Sequence, residues 1–300
     1  MTQPLIAVFT KNWVNPAYAA ARLAVDRVAA EAGARTIHYA PQTPDDVGEQ
    51  KALVTEALAG QGEDRPAAVV LNPADDVAMQ EDLVRLAAAG IPVALFINRM
   101  TGPALTFVGS DDEAIGRRTA TALFEALGGT GRVVGLEGPQ AAPTSRARVR
   151  GLRETLGQFP GIELIDMAVG HLQQPPAKAA MAGLLDKHAR IDGVWTANDL
   201  MAFGALDALD AAGRQAKVVG INGLPAAIEH IERGTMLASA DFSAFNIAAI
   251  AARAVLRHLR GEPVPSEIMV PAELIDRGNC ARWKVPFAER PCPTWEEIVR

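Results

Sequence analysis

The sequence predicts an α/β fold with two Rossmann-like lobes, each built on a parallel sheet and joined by a hinge of several strands. Short apolar runs alternate with segments of helical periodicity from residue 5 onward. This alternation stops at an irregular, turn-rich stretch, residues 98–103, and then resumes with a similar element order. A late Ala-rich helix follows a second polar break at residues 241–243. If that helix returns to the first half, each lobe is discontinuous, which suits closure around a ligand.

The first half begins with a buried strand, Leu5–Thr10. Asn15 and Pro16 follow, and this pair is typical of a helix start because asparagine caps the first turn and proline is tolerated at its first position. The remaining elements continue the pattern, with strands at 36–39, 67–71 and 92–97 and helices at 16–33, 46–58 and 77–89. Such alternation indicates βαβ crossovers and a parallel sheet.

The second half is organised around residues 193–213. Val194–Thr196 is a short apolar strand, and the apolar residues after it repeat at three and four, which predicts a helix that ends near Gly213. Asn198 or Asp199 lies at the N-cap, beside the carboxyl end of the strand, where ligands bind in open parallel sheets. Asn198 is therefore either a ligand contact or only a helix cap.

The other elements of the second half follow the same pattern, with strands at 105–108, 132–136, 162–165, 217–221, 236–240 and 268–274 and helices at 112–127, 145–158, 177–188, 224–233 and 245–260. We assign residues 1–103 and 241–266 to an N-terminal lobe, and residues 104–240 and 267–300 to a C-terminal lobe with an irregular tail. From Asp276 the tail is rich in proline and tryptophan. We expect it to lie across the second lobe or the hinge.

Composition argues against two classes of partner. The net charge of -6 and the pI of about 5.5 leave no basic footprint for nucleic acid, and no basic run marks a membrane surface. No apolar stretch is long enough to span a membrane, and residues 1–4 lead into the first strand without the features of a signal peptide. We expect either a cytoplasmic protein or a secreted one in its mature form.

Motifs for catalysis or cofactor binding are lacking. The five histidines are scattered without metal-ligand spacing. Gly128–Gly131 stops a helix and does not follow a strand, and the sequence has neither a phosphate-binding loop nor a G-x-S-x-G elbow. We therefore expect no metal, no cofactor and no enzymatic activity. Cys280 and Cys292 are either a disulfide of an oxidising compartment or two separate thiols.

Polar residues recur at the carboxyl ends of the predicted elements. They are Lys11, Asn15, Asn98, Arg99, Arg148, Asn198, Asn222, Asp241 and Ser243. Each alone would be a cap or a loop residue, but together they fall at the same ends of their elements. Amide and guanidinium groups suit a hydroxyl-rich or carboxylate-bearing small molecule. Trp13, Tyr18 and Phe242 would cover the apolar face of a sugar, unless Tyr18 only packs on its own helix.

Several stretches together carry a family resemblance. They are Val8–Tyr18, Leu71–Ala74, Gly90–Val93 before Asn98 and Arg99, Gly109–Asp112, Arg148–Gly151, Ala197–Ala205 and Val219–Gly223. With them, the chain as far as about Pro265 resembles the type I periplasmic binding proteins of sugar ABC importers, the ribose-binding group. The resemblance implies a monomeric, periplasmic solute receptor that closes on its ligand and docks on a membrane permease without catalysis. It also implies a signal peptide that is absent from this sequence.

Carried over position by position, the resemblance implies ligand contacts at Asn15, Tyr18, Asn98, Arg99, Arg148, Asn198 and Asn222. Lys11 and Ser243 follow from loops whose length differs from that in the family. The family usually has aspartate where this chain has Asn98 and Asn222. Because Arg99 and Arg148 are kept, these replacements leave an excess of positive charge, and a buried unpaired charge is costly.

Two classes of ligand are compatible with this excess of positive charge. A polyol or an uncommon monosaccharide would need Asp241 or Asp199 to balance the arginines, whereas a sugar acid, an aldonate, would bring its own carboxylate. We favour the first because the resembled family mostly binds neutral carbohydrate. Two further interpretations are the effector-binding domain of a lactose-repressor-type regulator, which would need an N-terminal helix-turn-helix, and an enzyme that uses the same cleft.

Overall fold

The computed structural model describes residues 3–299, and Met1, Thr2 and Arg300, which the predicted lobes include, lie outside the described residues. The chain divides into two compact units. Unit 1 contains the residues up to Ser110, Ser243–Val270 and the residues from Phe287 onward, and unit 2 contains Asp111–Phe242 and Pro271–Pro286. Each unit is therefore discontinuous in sequence.

The strands are β1 Leu5–Phe9, β2 Arg35–Tyr39, β3 Ala68–Leu71, β4 Val93–Phe96, β5 Thr106–Gly109, β6 Thr130–Glu137, β7 Gly161–Val169, β8 Gly193–Thr196, β9 Lys217–Ile221, β10 Ala238–Asp241, β11 Glu267–Met269 and β12 Glu273–Asp276. The α-helices are α1 Pro16–Glu31, α2 Val47–Ala59, α3 Gln80–Ala88, α4 Asp112–Ala126, α5 Pro143–Leu156, α6 Gln174–Lys187, α7 Asp199–Ala211, α8 Pro225–Arg233, α9 Ala244–Leu259 and α10 Trp295–Ile298. None of the helices between residues 3 and 299 is both long and apolar enough to cross a membrane.

Unit 1 is built on a six-stranded sheet in the order β11-β5-β4-β3-β1-β2, in which every neighbouring pair is parallel. Strands β1, β3, β4 and β5 are buried at every position, as expected for a parallel sheet covered by helices. Helix α9 packs on α1 and on β3, β4 and β5. The late helix thus returns to the first half of the chain, as the second polar break suggests.

Unit 2 is built on a second six-stranded sheet, in the order β12-β10-β9-β8-β6-β7. Its pairs are parallel except for β10 and β12, which run antiparallel. Trp195 of β8 is fully buried and donates its indole N–H to Thr119 Oγ1 of α4 at 3.0 Å. The prediction of two α/β units with mainly parallel sheets is confirmed.

Helices α4 and α5 approach each other closely because a glycine lies on each side of the contact. A Cβ atom on Gly116 would lie 2.1 Å from the carbonyl oxygen of Arg148, and one on Gly151 would lie 2.1 Å from that of Glu113. Both obstacles are backbone atoms, which cannot move out of the way as a side chain can. This close approach positions Arg148 beside the first turn of α4.

Three predicted boundaries are wrong, and strand pairing explains the first two. The lobe boundary at 103/104 falls before β5, but β5 pairs with β4 and β11 and belongs to unit 1. The predicted strand at 268–274 is two strands in different sheets, β11 beside β5 and β12 beside β10. Pro271 lies between them and has no N–H to continue a ladder. The residues from Phe287 onward belong to unit 1, not to the C-terminal lobe.

The tail packs in two portions, one on each unit. Residues 280–284 form a 3₁₀ turn against α8 in unit 2. In unit 1, Phe287 stacks on Phe245 with a centroid distance of 6.0 Å, and Arg257 lies over the Trp295 ring at 4.7 Å. Cys280 and Cys292 are both free, so the structure has two separate thiols and no disulfide between them.

Candidate functional site

The predicted site residues lie at or after the carboxyl ends of strands, and all of them except Ser243 follow a strand of their own unit. Unit 1 carries Lys11, Asn15, Tyr18, Asn98, Arg99 and Ser243, and unit 2 carries Arg148, Asn198, Asn222 and Asp241. Parallel strands present their carboxyl ends along one edge of a sheet, and loops at this edge form the ligand sites of open α/β sheets. The structure therefore gives each unit one polar edge.

Loop residues after β1 are buried in spite of their polarity. Lys11 is 3% exposed, and its ammonium group lies 3.7 Å from a carboxylate oxygen of Asp45. Asn15 caps α1, because its Oδ1 accepts from the N–H of Ala17 at 3.0 Å. Tyr18 is 9% exposed and lies in the first turn of α1. These residues are held in place by contacts within unit 1.

Asn98 and Arg99, although adjacent, have different environments. Asn98 is 1% exposed and donates from Nδ2 to the carbonyl of Pro73 at 2.8 Å. The Arg99 side chain is 54% exposed, pairs with the Glu267 carboxylate of β11 and lies 4.2 Å over the Phe107 ring. The charge of Arg99 is therefore matched within unit 1.

Asn72, which the sequence did not single out as a site residue, directly follows the carboxyl end of β3 in unit 1. Asn72 is fully buried, and both polar atoms of its side chain lack a hydrogen-bond partner in the described chain. Its backbone is fixed, because its carbonyl accepts from Gln50 Nε2 at 3.0 Å and its N–H donates to Phe9 at 2.9 Å. A buried amide without partners is costly and therefore needs an explanation. The sequence signal was its position, directly after a buried strand.

Arg148 is the charged centre of the unit 2 edge. It is 4% exposed, donates from Nε to Asp112 Oδ1 at 2.7 Å and from Nη1 to the carbonyl of Ala197 at 2.8 Å. Its guanidinium carbon lies 5.1 Å from the centre of the Phe242 ring. Burial raises the pKa of Asp112 above its ordinary value, and the charge of Arg148 opposes that rise.

The direct ion-pair partners of the two arginines are not the expected Asp241 and Asp199, although the charge of Arg148 does act on Asp199. Asp112 pairs with Arg148 and Glu267 pairs with Arg99. Asp241, in contrast, accepts from the indole N–H of Trp283 at 2.9 Å, and Asp199 accepts from the N–H of Leu224 at 2.9 Å. The excess of positive charge that the sequence suggested is thus removed locally, without a ligand carboxylate.

Asn198 has the capping role that the sequence left open. Its Oδ1 accepts from the N–H of Met201 at 2.9 Å, and its Nδ2 donates to the carbonyl of Leu172 at 3.0 Å. The side chain is therefore held at both polar atoms, and its backbone begins α7. Ligand contact by Asn198 stays a prediction.

Three non-glycine residues at these strand ends have positive φ angles. Ile97 precedes Asn98 with φ of 64°, Asn222 has φ of 136°, and Ser243 has φ of 58°. A β-branched residue such as Ile97 is a rare occupant of this region. Such conformations cost roughly 1–3 kcal/mol each and cluster at binding sites, where the surrounding structure enforces them. Three of the six non-glycine residues with positive φ between residues 3 and 299 thus lie at or beside predicted site residues.

Within residues 3–299, no group of three or more histidine, cysteine, aspartate or glutamate residues is arranged to hold a metal ion. The polar edges offer amides, guanidiniums and paired carboxylates, which bind through directional hydrogen bonds. This chemistry suits recognition of a polar solute.

Each of the two mainly parallel α/β units thus carries polar residues at the carboxyl ends of its strands, which is where open α/β sheets bind ligands. Residues 6–263 match the profile of the periplasmic binding protein domain, so the chain belongs to that family of binding proteins.

Relatives and solved structures agree with this assignment. The ribose import binding protein of Bacillus subtilis is 28% identical over 271 residues, which cover 90% of this chain and 85% of that protein. The D-apiose import binding protein of Paraburkholderia graminis is 31% identical over 222 residues, 73% of this chain and 69% of that protein. An ABC transporter periplasmic solute-binding protein from Actinobacillus succinogenes with bound D-allose superposes with a TM-score of 0.87, 25% identity and coverage of 93% of this chain and 100% of that one.

Proposed function

We propose that the protein is an extracytoplasmic solute-binding protein that delivers a neutral carbohydrate-type ligand, a polyol or an uncommon monosaccharide, to an ABC import permease. Support comes from the family and from its relatives, which are described as import binding proteins for ribose and D-apiose and as a xylitol-binding protein. The proposal includes a periplasmic location, a monomeric state and the absence of catalysis.

The pairing of the arginines is the observation that carries the choice of a neutral ligand. Arg148 forms an ion pair with Asp112 inside unit 2, and Arg99 forms an ion pair with Glu267 inside unit 1. A carboxylate ligand would have to compete with these existing pairs. A hydroxyl-rich ligand can instead accept from a guanidinium and exchange hydrogen bonds with amides while the ion pairs remain intact.

We propose that the polar residues at the strand ends of each unit are ligand contacts. The proposed contacts are Lys11, Asn15, Tyr18, Asn98, Arg99, Arg148, Asn198, Asn222, Asp241 and Ser243, together with Asn72. Arg99 is the weakest member, since its side chain is exposed and engaged by Glu267. Asn72 is an addition to the predicted set, because a ligand that gains access to its buried amide would supply the partners that the amide lacks.

A thermal-shift screen of polyols, aldoses and aldonates tests the proposed function. We expect a neutral compound to raise the melting temperature, because a ligand at roughly 100 times its Kd stabilises the folded state by about 2.7 kcal/mol. Each active compound is then incubated with the protein and recovered, and we expect it unchanged. Stabilisation by an aldonate with no response to any neutral compound would reverse the choice of ligand class, and recovery of a product would indicate an enzyme.

Replacing Asn72 with leucine should have opposite effects on stability and binding. We expect the free energy of unfolding to rise by up to about 1 kcal/mol, because the substitution removes a buried amide that lacks partners. We expect Kd for the ligand found in the screen to rise about tenfold, which corresponds to the loss of a hydrogen bond of about 1.4 kcal/mol. Urea unfolding and isothermal titration calorimetry measure the two effects.

The matched control for this substitution is Gln50→Leu. Gln50 is also fully buried, but its amide bonds to the backbone of Thr10, Asn72 and Ala74. We therefore expect Gln50→Leu to destabilise the protein. If Asn72→Leu lowers stability as Gln50→Leu does and leaves Kd unchanged, Asn72 is a structural residue.

A further inference from the structure

Asp199 has a buried carboxylate that ligand binding as proposed does not use. It is the first residue of α7 and is fully buried. Its Oδ2 accepts from the N–H of Leu224 at 2.9 Å, and its Oδ1 accepts from the hydroxyl of Ser239 at 2.7 Å. The same hydroxyl accepts from the N–H of Gly223 at 3.1 Å. One carboxylate thus joins α7, β10 and the connection from β9 to α8.

That connection holds Asn222 in an unusual backbone conformation. Asn222 has φ of 136° and Gly223 has φ of 62°, so two successive residues lie at positive φ. The two N–H groups that follow Asn222 are the ones fixed by Ser239 and Asp199. A strained backbone of this kind persists only where the surrounding structure enforces it. The carboxylate and the hydroxyl supply that enforcement.

We propose that Asp199 is a positioning residue, whose ionised carboxylate holds the β9–α8 connection so that Asn222 is presented to the ligand, and that ligand affinity therefore falls in mildly acidic solution. The inference rests on the proposed function, because only that function makes Asn222 a ligand contact. Protonation removes the charge that attracts the Leu224 N–H and the Ser239 hydroxyl. The connection then loses the contacts that enforce its backbone angles.

The surroundings of Asp199 place this change near pH 6. Burial raises the pKa of Asp199 to about 6, and the nearby charge of Asp241 on β10 adds to the rise. The bonds from Ser239 and Leu224 and the charge of Arg148 on α5 oppose it. At pH 5 only about one tenth of the molecules would carry the ionised form, so Kd should be about tenfold larger than at pH 7.5.

The contribution of Asp199 to stability should change with pH in the opposite direction. The folded-state pKa of Asp199 lies above the ordinary value of 3.8, so this carboxyl binds more protons in the folded protein than in the unfolded chain between about pH 4 and pH 6. The contribution of this group to stability is therefore larger at pH 5 than at pH 7.5. Weaker binding at pH 5 cannot then be attributed to unfolding through this carboxyl.

The test combines Kd measurements on the ligand found in the screen with NMR of the free protein between pH 5 and pH 7.5. In the wild type we expect Kd to rise about tenfold at pH 5, and the amide signals of Gly223 and Leu224 to titrate with a midpoint near pH 6. In Asp199→Asn we expect weaker binding at pH 7.5, and both pH profiles should become flat. Ser239→Ala, which removes one bond of the network, should give an intermediate loss.

Asp210→Asn is the matched control, since Asp210 is an exposed carboxylate on the same helix. It should keep the wild-type pH profiles. If the wild type binds a ligand but its Kd and the two amide signals do not change with pH, the positioning role is wrong while the proposed function stands. If no compound binds, the proposed function fails, and the amide titration alone decides whether Asp199 holds the connection.

Discussion

Replacing Asp112 with asparagine is expected to lower the free energy of unfolding by about 3 kcal/mol, because removal of one partner from a buried ion pair leaves the other charge uncompensated. Arg148 is only 4% exposed, and its Nε lies 2.7 Å from the Asp112 carboxylate. Its remaining bond to the carbonyl of Ala197 cannot neutralise the charge. Urea unfolding followed by circular dichroism measures the loss.

Replacing both partners of this pair together should cost little of the free energy of unfolding. Burial raises the pKa of Asp112 and the charge of Arg148 opposes that rise, so the desolvation of this carboxylate offsets part of the attraction between the charges. Buried pairs of this kind can be replaced by apolar residues of similar volume with little loss. We expect the double variant Asp112→Leu, Arg148→Met to be more stable than Asp112→Asn and to bind no ligand, since Arg148 is a proposed contact.

An exposed ion pair on the same two helices provides the control. Glu113 of α4 and Arg150 of α5 lie 3.2 Å apart, with side chains that are 38% and 60% exposed. Glu113→Gln should change the free energy of unfolding by no more than about 0.5 kcal/mol, because surface pairs contribute little. Equal losses from Asp112→Asn and Glu113→Gln would show that burial does not decide the importance of the Asp112–Arg148 pair.

Features that depend on a few neighbouring residues were predictable from the sequence. The caps at Asn15 and Asn198 are examples, because asparagine before a helical pattern satisfies N–H groups two or three residues later. The alternation of strands and helices is another, because the apolar runs of β1, β3, β4, β5 and β8 are buried in mainly parallel sheets. These signals lie within one element and need no knowledge of packing.

Features that depend on packing between distant elements were not predictable. Asp112 lies 36 residues before Arg148, and their pairing requires α4 and α5 to approach at Gly116 and Gly151. The run at 268–274 looked like one strand because nothing in its hydrophobicity indicates that β11 and β12 join different sheets. Asn72 lies in the Leu71–Ala74 stretch that carries the resemblance, but only the structure shows that its buried amide lacks partners.

Replacing Gly116 with alanine is expected to lower the free energy of unfolding by about 2–3 kcal/mol, because overpacking at a rigid contact forces the backbone to move. The new Cβ would lie 2.1 Å from the carbonyl oxygen and 2.8 Å from the Cα of Arg148. Helix α5 would have to shift as a unit, and Arg148 with it. We therefore also expect Kd for the ligand found in the screen to rise.

Gly183→Ala is the matched control for this substitution. Gly183 is exposed within helix α6, and a Cβ there would have no neighbour within 4 Å. Alanine at that position should raise the free energy of unfolding by about 0.5–1 kcal/mol, because it reduces the freedom of the unfolded chain without strain. If Gly116→Ala lowers the free energy of unfolding and Gly183→Ala raises it, the close α4–α5 contact is the cause of the loss at Gly116.

The double variant Gly116→Ala, Asp112→Asn tests whether the helix contact positions the ion pair. If the α4–α5 approach brings the Asp112 carboxylate to Arg148, the two substitutions disrupt one arrangement, and their combined loss should be smaller than the sum of the single losses by about 0.5–3 kcal/mol. Residues that act independently give additive losses within about 0.5 kcal/mol. Additivity would mean that Arg148 keeps its partner when the helices separate, and the glycine contact would then have no role in forming the site.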